Sequence, residues 1–267
     1  MRLLTPMIPN PDAPLGRANP VAKLGAALVL LLTLFASLDG VTAGVVLIGL
    51  VALLPISGLS VRTLLSRAWL IGIAALSIGV FNVIFAAGQL GPTILELGPI
   101  RVGQETLVNG VGLAVRLLAI ALAGLLATAT SDPVDVADAL IQQLGVSPRF
   151  AVGVLAALRL LPLLAQEWQI LGMARRARGV EAGRSPVAAL RLFAGQLLSL
   201  LVGAVRRGSR MALAMEARGF GAAPCRSVAR VQRMRFADWG WMLGAVALAA
   251  AAIAISLALG TWRPLVG

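Results

Sequence analysis

The chain has 267 residues, 59% apolar and 13% charged, and carries a formal net charge of +12 with no histidine, no tyrosine and one cysteine. With a mean hydropathy of +0.92 it cannot bury itself in one soluble core, so the bilayer serves as its solvent. Zinc sites of the common kind, Cys/His nucleophile pairs, Ser-His-Asp triads and an intrachain disulfide are excluded, and Cys225 reads as a small buried thiol.

Residues 1–20 carry Pro6, Pro9, Pro11, Pro14 and Pro20 and read as an extended segment with no cleavable signal. The apolar run after Lys23 ends near Leu38 and returns through Val41 to Ile56, a helical hairpin turning at Asp39-Gly40. A third span is predicted from about Trp69 to Ala87, a fourth from about Leu107 to Ala129 and a last from about Trp239 to Leu259. Each is long enough to cross ~30 Å of hydrocarbon at ~1.5 Å per residue. Trp69, Trp239, Trp241 and Trp262 mark the ends of spans, where an amphipathic ring prefers the interface.

Orientation follows from the short loops. Arg17 and Lys23 precede the first span and Arg62 and Arg67 separate the second from the third, which places these segments in the cytoplasm. The loop from Gln89 to Thr106, with Glu96, Arg101 and Glu105, falls outside. Five spans are expected, with the amino terminus inside and Gly267 outside. Asn82 and Arg116 are the polar groups within spans; both read as packing or interface residues, Arg116 being close enough to the outer end to snorkel.

The stretch from Ser131 to Arg235 is long, helix-compatible and basic: from Arg149 onward fifteen arginines face only Glu167, Glu181 and Glu216. Such one-sided charge suits a cytoplasmic surface facing anionic lipid or an acidic partner. Three helices are predicted. Asp132-Pro133 starts the first and Gly145 stops it, with Asp135 and Asp138 near its positive end. Ser147-Pro148 opens the second, which places Arg159, Gln166, Gln169 and Arg176 on one face and is bent at Pro162. The third runs from about Pro186 to Arg218, with Leu197, Leu201, Ala204, Met211 and Met215 on one side and Arg207, Arg210 and Arg218 on another. These two are read as long amphipathic helices and not as spans.

Both end alike, in Ala177-Arg178-Gly179 and Ala217-Arg218-Gly219. Glycine suits the left-handed position after a helix and arginine complements the helix dipole, which explains either triplet alone. Two of them, in one basic insertion, ask for more. With Asn19-Pro20-Val21-Ala22-Lys23-Leu24 before the first span, Asp132-Pro133 with Ala139-Leu140, and Leu158-Arg159-Leu160-Leu161-Pro162-Leu163, they make the chain resemble the T component of energy-coupling factor (ECF) transporters, a branch of ABC importers.

The resemblance implies an all-α integral membrane protein of about five transmembrane helices with a cytoplasmic domain of long amphipathic coupling helices. Residues 1–130 would hold four spans, 131–235 the coupling helices and 236–267 the last span. It further implies a non-catalytic scaffold in the cell membrane of a bacterium or archaeon, importing a vitamin or metal ion. Its partners would be two ABC-type ATPases, which carry ATP and Mg, and one membrane-embedded substrate-binding S component. Ala177, Arg178 and Gly179 would seat on one ATPase and Ala217, Arg218 and Gly219 on the other.

Other readings are weaker. Asp132, Asp135 and Asp138 stack along one helix face and could in principle collect a cation for a membrane enzyme, but capping already accounts for Asp132. A stand-alone transporter or channel lacks ionisable groups at mid-membrane. A nucleic-acid binder lacks aromatics interleaved with its arginines.

Overall fold

In the computed structural model, residues 13–59, 61–85, 93–97, 100–180, 183, 185–220 and 231–262 are described, with backbone alone for 61–68, 93–97 and 100–102. The membrane-bound half begins with α1 (Pro14–Arg17), α2 (Pro20–Ala36), α3 (Gly40–Ala52), α4 (Leu54–Ser57) and α5 (Val61–Phe85). A hairpin of β1 (Thr93–Leu97) and β2 (Ile100–Gly103) leads into α6 (Gln104–Ala129). Then follow α7 (Pro133–Leu144), α8 (Pro148–Ala177), α9 (Pro186–Ala217) and α10 (Phe236–Ala258). The protein is thus an all-α membrane protein apart from one small hairpin.

Local chemistry sets these limits. Asn19 Oδ1 accepts the Val21 amide at 2.9 Å and starts α2 with Pro20 at its first position. Pro55, with no N–H to give, ends the second predicted span early and leaves α4 as a separate turn. α5 begins eight residues before the predicted Trp69, so Arg62 and Arg67 belong to its first two turns instead of a loop. Pro14 to Arg17 form one helical turn where an extended segment was expected, and residues 1–12 lie outside the described part. The expected loop from Gln89 pairs Leu95 with Val102 and Glu96 with Arg101 in the antiparallel hairpin.

The chain divides into two compact units. The membrane unit comprises the described residues up to Ala139 and from Gln232 onward. Its core joins Leu34, Val46, Leu50, Ala119, Leu126 and Ala249. Small residues let the helices approach. A Cβ on Gly110 of α6 would stand 2.8 Å from the Gly79 carbonyl of α5, and one on Gly40 of α3 would stand 3.1 Å from the Gly112 Cα.

Buried polar contacts lie in two layers of this unit. In the first, Lys23 Nζ donates to the Thr130 carbonyl at 2.7 Å and the Asn19 amide donates to Asp238 Oδ1 at 2.7 Å. In the second, Asp39 Oδ2 accepts the Thr42 amide, the Thr42 hydroxyl and the Ser256 hydroxyl, each at 2.7 Å. Arg116 donates there to the carbonyls of Ser37 and, at 3.3 Å, Asp39. Burial by itself would raise the Asp39 carboxyl, but the bonds from Thr42 and Ser256 hold it below its ordinary value of 3.8. Asp238 and Ser256 stand eighteen residues apart on α10, about 27 Å at about 1.5 Å per residue, close to a hydrocarbon core of about 30 Å.

Among the described residues, four helices are long and apolar enough to cross a membrane on their own: α6, α8, α9 and α10. This set differs from the sequence reading, which takes α8 and α9 as amphipathic and α2 and α3 as spans. α2 and α3 are shorter, yet they run between the two polar layers and expose Leu28, Leu32 and Ile48, as lipid-facing sides require. α8 and α9 satisfy length and composition but carry Arg159, Glu167, Arg175, Arg191, Arg206 and Arg207 along their course.

Candidate functional site at two arginine-capped helix ends

The second unit, residues 140–231, is built on α8 and α9. Proline opens both helices at the first position; in α9 the Ser185 hydroxyl also accepts the Ala188 amide at 3.3 Å, whereas Ser147 makes no such bond in α8. The two helices run antiparallel. Arg207 pairs with Glu167 at 2.7 Å, Gln196 Nε2 donates to the Trp168 carbonyl at 2.6 Å, and Arg175 Nη1 donates to the Leu192 carbonyl at 2.7 Å. Trp168 meets Phe193 edge to face with centroids 5.2 Å apart.

This packing shows which part of α9 meets α8. Gln196 and Leu200 are buried and Arg207 turns toward α8, whereas Leu197 and Leu201 are more than half exposed. The polar residues win the contact side because each finds a partner there: Gln196 meets a backbone carbonyl and Arg207 an acid. On α8, Arg159, Gln166, Gln169 and Arg176 are all exposed, in keeping with one solvent-facing stripe. Helix α8 runs through Pro162 without interruption.

The helix ends are geometric twins. At the end of α8, the Val180 amide donates to the Arg175 carbonyl at 3.0 Å and the Gly179 amide to Arg176 at 2.9 Å. At the end of α9, the Phe220 amide donates to the Met215 carbonyl at 3.0 Å and the Gly219 amide to Glu216 at 2.9 Å. Both are Schellman closures, with Gly179 at φ +73 and Gly219 at φ +72 in the left-handed region. The intervening arginines match as well: Arg178 has φ −90 and ψ 7, Arg218 φ −87 and ψ 8.

All six residues, Ala177, Arg178, Gly179, Ala217, Arg218 and Gly219, are exposed. Neither the Arg178 nor the Arg218 guanidinium has a partner among the described residues. The neighbouring arginines differ, since Arg175 is tied to α9 and Arg176 Nε reaches back to the Gly172 carbonyl at 3.4 Å. Arg178 is therefore the geometric counterpart of Arg218. Each triplet offers a small residue, a planar cation and a glycine with open space around it, which suits a carboxylate-lined groove.

The remaining candidates are accounted for within the fold. Asp132 Oδ1 accepts the Val134 amide at 2.8 Å, and Asp135 accepts from Gln232 Nε2 at 3.3 Å. Among the described residues no group of three or more His, Cys, Asp or Glu side chains is placed to hold a metal. Cys225 lies outside the described residues.

The arrangement defines a polytopic helical membrane protein whose free cationic surface is carried on a two-helix unit with twin ends. The chain belongs to the cobalt transport protein family (CbiQ), which matches residues 12–227 and so includes both triplets. It is 31% identical over 244 residues to the energy-coupling factor transporter transmembrane protein EcfT of Thermanaerovibrio acidaminovorans, covering 85% of this chain and 87% of that protein. The EcfT proteins of Leuconostoc gelidum and Bacillus subtilis are each 30% identical, over 149 and 138 residues, which are 53% and 49% of this chain. In those two alignments the chain spans about half of the relative, 55% and 52% of its length. The protein is accordingly a transmembrane transporter component of the ECF T type, from a family not known as catalytic.

Proposed function

We propose that this chain is the scaffold and coupling subunit of an ATP-driven importer of the cell membrane, passing ATPase movements to a separate substrate-binding membrane subunit for vitamin or metal-ion uptake. Ala177-Arg178-Gly179 engages one ATPase and Ala217-Arg218-Gly219 the other. The observation that carries this reading is the matched pair of exposed, unpartnered Arg178 and Arg218 on closures of equal geometry. ATP and Mg belong to the ATPases. This chain has no Gly-x-x-x-x-Gly-Lys-Ser/Thr loop, and its one lysine, Lys23, is buried against a backbone carbonyl. A path through the chain alone is disfavoured because Arg116, the basic residue within α6, is committed to the carbonyls of the Ser37–Asp39 turn.

The test is co-purification of the ATPases and ATP-dependent uptake with Arg178→Ala/Arg218→Ala. An interfacial, charge-assisted arginine contributes roughly 2 to 5 kcal/mol, against under about 1 kcal/mol for a solvated one. The double variant is expected to lose association or uptake while exposed Arg233→Ala keeps both. Lysine in place of each arginine retains charge without the planar fork and separates geometry from charge. Wild-type assembly and uptake in the double alanine variant would reduce both triplets to helix caps.

A further inference from the structure

The segment Asn19 to Leu24 and the two ends of the insertion meet at one end of the membrane unit. Lys23, the only lysine, is 5% exposed and its Nζ donates to the carbonyls of Thr130 at 2.7 Å and Gly16 at 3.3 Å. Thr130 closes α6, just before α7 begins. The return is tied to the same place. Asp238 accepts the Asn19 amide on Oδ1 and the Arg235 amide on Oδ2, each at 2.7 Å, and is 4% exposed. Between exit and return, Gln232 Nε2 reaches Asp135 at 3.3 Å.

A buried ammonium is an expensive way to hold two carbonyls together. Apolar packing would be the cheaper solution if rigidity were the sole requirement. The bonds of Lys23 to Thr130, of Asn19 to Asp238 and of Arg235 to Asp238 thus join the outgoing segment, the returning segment and the start of α2 in one polar cluster. The cluster bonds the end of α6 and the residue before α10 to the start of α2 and to α10 itself.

We propose that Lys23 is a positioning residue for coupling, and that with Asp238 it locks both roots of the α7–α9 insertion to the membrane helices so that movement of the insertion is delivered to α2, α6 and α10. This rests on the coupling function proposed above. Lys23 touches neither substrate nor ATPase; it acts through the Thr130 carbonyl and the start of α2.

The experiment uses the full complex in proteoliposomes and reads ATPase association, ATP hydrolysis and substrate uptake per ATP hydrolysed. Lys23→Met is expected to assemble and hydrolyse ATP but to lose about 2- to 30-fold in uptake per ATP, the range of coupling changes seen at residues that touch neither ligand. Lys23→Arg, which keeps charge and donors, should recover most of it. Asp238→Asn, close in shape, tests the second root with a smaller loss and stands in if Lys23→Met does not assemble. Unchanged uptake per ATP in both Lys23→Met and Asp238→Asn would overturn the proposal. So would loss of uptake only in proportion to loss of assembly, with no rescue by arginine, because a merely structural lysine behaves that way. If instead Arg178→Ala/Arg218→Ala leaves association and uptake intact, the coupling reading itself has failed, and the two failures remain distinguishable.

Discussion

The two units handle polar chemistry in opposite ways. In the membrane unit Lys23, Asp39 and Asp238 are each at most 5% exposed, and hydrogen bonds join all of them to other segments of the unit. In the helix pair, α8 buries only Ala151 and α9 only Gln196 and Leu200, while Arg178 and Arg218 are exposed at the tips with no guanidinium partner among the described residues. A polar group in apolar surroundings is tolerated only when it is bonded, so the first unit spends its charges on holding itself together. The second leaves its charges available. Outside the Lys23–Asp238 cluster, to which a coupling role was assigned above, substitutions within the membrane unit should therefore act on stability, and substitutions at the tips on association.

The largest effect that breaks this contrast on the membrane side is expected from Gly110→Leu. A Cβ there meets the Gly79 carbonyl at 2.8 Å and the Val83 side chain, and neither can withdraw without separating α5 from α6. Overpacking of this kind costs about 3 kcal/mol, read as a lowered thermal midpoint in detergent.

A smaller effect, about 1.5 kcal/mol, is expected from Asp39→Asn, which weakens the bonds from Thr42 and Ser256. Its sign depends on pH. The folded carboxyl titrates below the ordinary value of 3.8, so its contribution is complete above that value and is lost as pH falls through the folded one. The stability difference between wild type and Asp39→Asn should be constant above about pH 5 and shrink below about pH 4, as thermal melts across that range would show.

The smallest effect sharpens the other side. Gly219→Ala meets no neighbour but forces an alanine to φ +72, which costs about 1 kcal/mol confined to the end of α9. Amide exchange at Gly219 and Phe220 should accelerate while the thermal midpoint hardly moves. Such a variant disturbs the geometry of one tip without touching its arginine.

How far the sequence revealed this depended on the range of the interaction. Helix starts at Asp132-Pro133 and Ser147-Pro148 and the stop at Gly145 were legible because capping is local; Pro148 opens α8, although Ser147 makes no cap bond, and Gly145 has φ +65. The identity of the two Ala-Arg-Gly ends was legible for the same reason. The contact face of α9 was not. Periodicity puts Leu197 and Leu201 on one side and Arg207 on another without saying which meets a neighbour; the partners of Gln196 and Arg207 come from α8 and cannot be read from α9 alone. Asp39 with Ser256 and Lys23 with Thr130 are separated by 217 and 107 residues, beyond any local pattern. The signal that could have raised Lys23 was its being the only lysine in a chain otherwise served by arginine.

The order in which the membrane unit can assemble follows from its neighbours. α2 and α3 are consecutive but touch each other little; α2 packs mainly on α10 and α6, and α3 on α6 and α10. During synthesis the first two helices therefore wait in the bilayer without their principal partners, and α6 supplies only part of what they lack. The helix that completes the burial of α2 is made after the whole arginine-rich insertion has been synthesised. A nascent chain that has not yet released α10 would hold a membrane unit still open along α2, with Asn19 and Asp39 missing their partners on α10. Closure of the membrane unit is thus a checkpoint that reports the insertion has already been produced.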